Sequence, residues 1–398
     1  VMTMKVFEAL SEISGDEKYR QSVEDYSHDF LLNCQNPKTG LLGWGEHLFY
    51  DFYRDTVSIS ESKLFGQSYY FGYPHEFLGW TPPWERLWTL DAAKTQKAIE
   101  GIMWHFQGSD PKTSLFNRHA DWNAAKHPTT IMPWIKHSVL FAYSFAFHFV
   151  QTGDELWKKR ARDIALLYWN NRDYSSDLIF GCLYHAGNPD AGKLPSIGAT
   201  GSFAYWLYKT GELLEDENLL GIAKKSMLAY REHAWSEKDS YYVQSVQLDG
   251  QPLAEPQKAT AWKIGYGSSS LFKFARTATY IAGKENNENF LKIAIECEKQ
   301  IPDSPLPEQY TALNLGEAIN FYVDLYELTG KKYYLSEADR YAEMGISRFS
   351  RNGLLRRQTN DHYYEAKLGI GDLLAGFFRL GMIVSNKEEE LKKMDFSF

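Results

Sequence analysis

Apolar residues recur at helical spacing along the chain, and short polar turns that contain glycine separate these stretches. Leu207 and Tyr208 precede Gly211, while Leu219 and Ile222 follow it. Apolar residues three or four positions apart share one face of a helix, so this pattern predicts two helices joined by a turn. A glycine in left-handed conformation commonly ends the first helix of such a pair. Copies of the pattern occur at Gly15, Gly153, Gly211, Gly283 and Gly330.

These repeats predict the fold class. Their spacing averages roughly 50 residues, and one pair of helices cannot bury its apolar stripe without neighbouring pairs. The loops are long and rich in Gly, Pro and aromatic residues, which favours a closed arrangement. The sequence therefore predicts an all-α fold, an (α/α) toroid of six or seven helical hairpins with short β-hairpins on its rim. Because no low-complexity linker interrupts the chain, residues 1–398 are predicted to form a single domain.

Composition narrows the class of function. The net charge is -8, from 43 basic and 51 acidic residues without a basic block, which argues against a nucleic-acid partner. The most apolar stretch, residues 138–150, is shorter than the ~20 residues of a membrane helix, so no membrane span is predicted. No signal peptide is visible at the start. Aromatic residues make up 16% of the chain, and their rings can stack on sugars, which points to carbohydrate.

The loop-rich region from residue 36 to 133 carries the polar side chains that suit chemistry. Three segments place His, Glu, Asp and Arg among Gly, Pro and Trp: NPKTGLLGWGEHLFYDFYRD (36–55), YPHEFLGWTPPWERLW (73–88) and FNRHADWNAAKHP (116–128). Two imidazoles and one carboxylate from separate segments are a common ligand set for a divalent ion. The same side chains can instead cap helices or bond to backbone groups, and the spacing leaves both interpretations open.

The order of His47, Glu76 and the adjacent pair Arg118–His119 resembles the pectate lyases of polysaccharide lyase family 2. Those enzymes are α/α toroids in which two His and one Glu bind a divalent ion, and an Arg beside one ligand acts as the base. The resemblance implies that His47, Glu76 and His119 bind the metal, Mn²⁺ or Ca²⁺, and that Arg118 is the catalytic base. An exposed salt bridge to Asp121 is the alternative for Arg118.

This chemistry predicts an acidic polysaccharide or oligosaccharide as substrate, and hence a periplasmic or extracellular location. β-Elimination on a uronate removes the proton on C5, next to the carboxylate, and a cation there stabilises the negative charge that develops. The side chains expected to bind the substrate are Trp44, His75, Trp84, Trp122, Arg356, Arg357, His362 and Tyr364. Arg356 and Arg357 suit the uronate carboxylate. His362 with Tyr364 is an alternative base and acid that needs no metal.

Two other functions stay open at this point. A glycoside hydrolase of the α/α type would use two carboxylates, one of them kept protonated. Its candidates are Glu46, Asp51, Asp55, Glu76, Glu85 and Asp121. A non-catalytic glycan-binding protein would keep the aromatic residues, and the metal set would be incidental.

Overall fold

The computed structural model describes most of the chain: residues 1–44, 48–51, 53–59, 74–77, 79–106, 114–122, 133–183, 194–262, 270–302, 304, 306–359 and 369–397. Contacts between residues divide the protein into two compact units. The first unit comprises residues 1–23, 196–202 and 227–398, and the second comprises residues 24–195 and 203–226. The single domain stays a prediction.

Helices dominate the described residues, and the strands among them are short. The helices are α1 (Met2–Ser14), α2 (Lys18–Asn33), α3 (Trp84–Leu90), α4 (Ala92–Gly101), α5 (Ile135–Thr152), α6 (Glu155–Asn170), α7 (Ile197–Leu214), α8 (Glu217–Ala234), α9 (Ser270–Glu285), α10 (Glu288–Gln300), α11 (Ala312–Thr329), α12 (Lys332–Phe349), α13 (Ile370–Val384) and α14 (Glu388–Leu391). A 3-10 helix, Ile102–Phe106, follows α4. The antiparallel strand pairs are β1 (Leu48–Asp51) with β2 (Thr56–Ile59), β3 (Pro74–His75) with β4 (Ala120–Asp121), β5 (Trp235–Ser236) with β6 (Tyr241–Tyr242), and β7 (Ser350–Arg351) with β8 (Leu354–Leu355).

Three of the five predicted glycine turns are present. Gly15, Gly153 and Gly330 follow α1, α5 and α11 with φ of 70°, 72° and 66°. The backbone N–H of each glycine donates to a carbonyl in the last turn of its helix, which satisfies a group that the helix leaves without a partner. The prediction of an all-α architecture built from helical hairpins, with short strand pairs, is confirmed.

The prediction for Gly211 and Gly283 is wrong, because both lie inside helices, α7 and α9. The left-handed residues of these hairpins are Glu215 and Asn286, with φ of 51° and 49°. Gly211 instead permits close packing, since a Cβ there would lie 2.8 Å from Leu220 Cδ2. A helical glycine at a close contact and a glycine that ends a helix look alike in sequence.

The second unit packs around α5. Its residues Val139, Leu140, Phe141, Ala142 and Phe145 are all 0% exposed. A helix that is apolar on every side belongs in a core. In the part of the chain that the structure describes, no helix combines the length and apolar character of a membrane span.

In the first unit, α11 and α13 approach closely at Gly316. A Cβ on Gly316 would lie 2.4 Å from the backbone nitrogen of Leu373 and 2.5 Å from the carbonyl carbon of Asp372. The Asn320 amide links the same helices by donating to the carbonyls of Gly316 and Asp372, at 2.8 and 2.9 Å. The contact therefore has no room for a larger side chain at position 316.

We expect Gly316→Ala to lower the free energy of unfolding by about 1–3 kcal/mol, because backbone atoms must move to admit a methyl group. Gly381→Ala is the matched control, since Gly381 lies in α13 and a Cβ there meets nothing within 4 Å. That variant should gain roughly 0.5–1 kcal/mol from the helix propensity of alanine. Urea unfolding measures both values, and equal stability of the two variants would contradict the assigned close approach.

Candidate active site

A two-residue strand ladder brings two of the three polar segments together in the second unit. Pro74 of β3 pairs with Asp121 of β4, and His75 pairs with Ala120. Glu76 directly follows β3, and residues 118 and 119 directly precede β4. Since the strands are antiparallel, the end of one lies beside the start of the other, and these side chains meet.

The Glu76 carboxylate is the centre of the site and is 0% exposed. Arg118 binds it bidentately, with Nε 2.7 Å from Oε1 and Nη2 3.2 Å from Oε2. His119 Nε2 lies 3.0 Å from Oε2, and His137 Nε2, in the first turn of α5, lies 3.2 Å from Oε1. Four hydrogen bonds thus satisfy both oxygens of a buried charge, as a buried carboxylate requires.

Accessibility differs between the two edges of this carboxylate. The side chains of Arg118 and His119 are each 24% exposed, whereas that of His137 is 0% exposed. A ligand can therefore reach the site on the side of Arg118 and His119.

Burial and hydrogen bonding set the protonation states. Burial alone would raise the pKa of Glu76, but hydrogen bonds from His119 and His137 outweigh it and hold this pKa far below its ordinary value. Burial lowers the pKa of His75 to about 3 and that of His137 to about 4. Burial also lowers the pKa of His105 well below its usual range. At neutral pH, Glu76 is ionised, and His75, His105 and His137 are neutral.

Three of the four residues in the predicted catalytic set are therefore adjacent: Glu76, Arg118 and His119. The fourth, His47, lies outside the described residues. Within the described parts of the chain, no group of three His, Cys, Asp or Glu side chains is arranged to hold a metal ion. The metal set stays a prediction.

The two described ligands of the predicted metal set fit a divalent ion. Carboxylate and imidazole are ordinary ligands of such ions, and Glu76 Oε2 and His119 Nε2 lie 3.0 Å apart, joined by a hydrogen bond. An imidazole must give up the proton on its ligating nitrogen to bind a metal. Coordination would therefore exchange the hydrogen bond between His119 and Glu76 for bonds to the ion.

Burial contradicts three of the predicted substrate contacts. Trp84 is 1% exposed, and its indole N–H donates to Ser144 Oγ at 3.0 Å within the core. Trp122 is 8% exposed and packs in a cluster with Leu41, Leu48 and Ala120. His75 is 2% exposed. These side chains support the site from within instead of forming a surface for sugar.

Trp44 stays a candidate substrate contact. It is partly exposed and packs edge-on against Phe30, with ring centroids 5.8 Å apart. Arg356 and Arg357 belong to the first unit, where Arg356 Nη2 donates to the carbonyl of Arg348 at 2.7 Å. Their role stays a prediction. His362 and Tyr364 lie outside the described residues.

His137 and His105 are site residues that the sequence pattern does not identify. His137 lies at the start of the apolar helix α5, where a histidine looks like any buried core residue. His105 lies in the 3-10 helix after α4, between Gly101 and Gly108, and it belongs to none of the three polar segments. The weak signal they carry is that both fall within or just beyond the loop-rich region from residue 36 to 133.

Several solved structures share the fold of this protein. A D-mannose isomerase matches with a TM-score of 0.61 and 12% identity over 92% of this chain and 98% of its own. A sugar epimerase from a ruminal bacterium matches with a TM-score of 0.54 and 11% identity, over 76% of this chain and 85% of its own. The GH76 α-mannanase BT2949 of Bacteroides thetaiotaomicron matches with a TM-score of 0.50 and 10% identity, over 76% of this chain and 84% of its own. At these identities the likeness shows the fold alone, and that fold is the predicted (α/α) toroid.

A family model identifies a more specific similarity. The model of the family described as periplasmic pectate lyase matches residues 2–162. This match confirms the resemblance to pectate lyase family 2 over the part of the chain that contains His47, Glu76, Arg118, His119 and His137.

The neutral buried histidines predict a loss of stability in mild acid. In the unfolded chain a histidine takes up a proton near pH 6.5, whereas the folded protein keeps His75, His105 and His137 neutral until far lower pH. Each of these three histidines should therefore lower the free energy of unfolding by about 1.4 kcal/mol when the pH falls from 7.5 to 5.5. Glu76 adds nothing in this range, because its carboxyl titrates near 4.5 when unfolded and lower when folded.

Urea unfolding at the two pH values, with a chelator present, measures this loss. His28→Gln is the control, because it replaces an exposed histidine and keeps the three buried rings. Equal stability at pH 7.5 and 5.5 would contradict the neutral state of the buried histidines.

Proposed function

We propose that the protein is a polysaccharide lyase that cleaves an acidic, uronate-containing polysaccharide or oligosaccharide by β-elimination. Arg118 is the base, and Glu76, His119 and His47 hold a divalent ion. The main support for this proposal is that Arg118 and His119 both contact the buried carboxylate of Glu76. All three residues lie inside the region that the model of the periplasmic pectate lyase family matches. The same match supports a location in the periplasm or outside the cell.

The reaction breaks two bonds of the uronate. A base takes the proton from C5, the electron pair forms a double bond between C4 and C5, and the glycosidic oxygen leaves C4 and is protonated. A divalent ion, when bound, would neutralise the uronate carboxylate and stabilise the charge that develops as the C5 proton leaves.

Arg118 has the position that a base requires. Its guanidinium is partly exposed, so it can contact a substrate, while Nε and Nη2 stay anchored on Glu76. Anchoring fixes the orientation of the group and removes the entropy cost of positioning it during the reaction. His119 is adjacent to Arg118, has the same side-chain exposure and also contacts Glu76.

The protonation state of Glu76 bears on the hydrolase alternative. A glycoside hydrolase needs one carboxyl group that stays protonated to act as acid. The pKa of Glu76 is lowered, and both its oxygens already accept hydrogen bonds. Glu76 therefore suits an ion ligand or an anchor for Arg118, and a hydrolase would have to use other carboxylates.

The decisive experiment measures absorbance near 235 nm on a panel of uronate polymers, with and without a chelator, because elimination creates an unsaturated, absorbing product. We expect an increase that the chelator abolishes. Reducing-end release without absorbance would instead identify a hydrolase. Binding without either product would identify a glycan-binding protein, and both outcomes contradict the proposal.

Variants separate the roles within the site. Arg118→Ala should reduce kcat by about 10²–10⁴-fold while a divalent ion still binds, because it removes the base but keeps Glu76 and His119 as ligands. His119→Ala should lose both activity and ion binding. Arg162→Ala is the matched control, since Arg162 forms an ion pair with Asp216 away from this cluster. Full activity of Arg118→Ala would remove Arg118 as the base.

A further inference from the structure

Two buried histidines connect the segments that carry the candidate active site. The ring of His105 lies 3.0 Å, through Nδ1, from the backbone carbonyl of Asn117. Its Nε2 lies 2.8 Å from Nδ1 of His75. His75 directly precedes Glu76, and Asn117 directly precedes Arg118. One line of contacts thus joins the two chain segments that carry the candidate site.

The line of contacts fixes the position of each ring proton. A backbone carbonyl only accepts, so Nδ1 of His105 must carry the proton and donate it. In a neutral ring the other nitrogen is then an acceptor, so Nε2 of His105 accepts from Nδ1–H of His75. Both rings therefore carry their proton on Nδ1, and Nε2 of His75 is an acceptor.

The surroundings hold both rings rigidly. His105 is 0% exposed and His75 is 2% exposed. The His105 ring packs against Phe141 of α5, with centroids 4.6 Å apart, and the His75 ring packs edge-on against Phe77 at 5.3 Å. The backbone N–H of Asn117 also donates to the carbonyl of His105 at 2.7 Å. His105 and Asn117 are therefore joined twice.

The strand ladder alone gives weak support at this point. β3 and β4 contain two residues each, and a ladder of this length holds few hydrogen bonds. The four-bond arrangement on Glu76 requires that the segments before and after the ladder keep their spacing within a fraction of an ångström. The histidine contacts supply a second, buried connection beside the ladder.

We propose that His75 and His105 form a histidine clasp, a pair of positioning residues that fixes Glu76 relative to Arg118 and His119. The clasp acts through the hydrogen bonds at Nδ1 of both rings and contacts neither substrate nor ion. Its effect on catalysis rests on the proposed function, whereas its geometry does not. This role replaces the substrate contact predicted for His75.

Nitrogen NMR of protein labelled with ¹⁵N-histidine tests the clasp without any reference to activity. Both His75 and His105 should show the Nδ1–H tautomer, with Nε2 unprotonated, and His75→Asn and His105→Asn variants assign the signals. A free histidine favours the Nε2–H form, so the expected result is distinctive. An Nε2–H tautomer at either ring would overturn the clasp.

Conservative variants test the positioning role. The amide nitrogen of asparagine can replace Nδ1 of histidine, so His75→Asn keeps the donor to His105, whereas His75→Leu removes it. We expect His75→Leu to weaken Mn²⁺ binding and to lower kcat by about 10–100-fold, as supporting residues of metal sites do. His75→Asn should keep most of the Mn²⁺ affinity and most of the kcat that His75→Leu loses. Titration calorimetry with Mn²⁺ alone gives the affinity, below the unfolding temperature of each variant.

His148→Asn is the matched control, because His148 is a buried histidine of the same unit, 1% exposed, that contacts Glu100. It should leave Mn²⁺ affinity and kcat unchanged. If His75→Asn loses as much as His75→Leu, then His75 acts directly on ion or substrate and the clasp is wrong. If both tautomers are as expected but the wild type neither binds Mn²⁺ nor forms an unsaturated product, the proposed function fails and the clasp stands.

Discussion

The buried carboxylate of Glu76 is the constraint on which the candidate site depends. Moving an ionised carboxylate out of water costs several kcal/mol unless other groups replace the lost hydration. Arg118, His119 and His137 supply that replacement from two separate segments of the chain. The β3–β4 ladder, the segment before β4 and the start of α5 must therefore meet at one point for this charge to be tolerated.

The two oxygens of Glu76 contact neighbours that differ in their exposure to solvent. Oε1 faces His137, whose side chain is fully buried, and Oε2 faces His119, whose side chain is partly exposed. Arg118 bridges the two oxygens. The Oε1 side is thus held by the core of the second unit, and on the Oε2 side the partly exposed His119 lies between the buried carboxylate and solvent. A buried carboxylate that holds partly exposed neighbours in place is an arrangement that a preorganised site needs.

How far the sequence predicts this protein depends on the kind of signal. Helix-ending glycines such as Gly15 and Gly153 are recognisable, because apolar helical stripes flank them. Gly211 is not distinguishable, since its role is close packing against Leu220, a contact that only the folded chain reveals. The order and spacing of Glu76 and the adjacent pair Arg118–His119 are a usable signal, because they follow the pattern of the family whose model matches this region. The burial of Trp84 cannot be predicted from the sequence, since a tryptophan in a Gly- and Pro-rich segment suits a core and a sugar-binding surface equally.

Charge within the site bears on the substrate and on the ion. Arg118 contributes one positive charge, Glu76 contributes one negative charge, and the low pKa values of His75 and His137 keep both rings neutral at pH 7. These four groups together carry no net charge, so they offer a uronate carboxylate little attraction. A divalent ion held by Glu76, His119 and His47 would supply that attraction, because it would add positive charge to the site. The electrostatics of the buried carboxylate therefore support the metal-assisted form of the proposed reaction over one that relies on Arg118 alone.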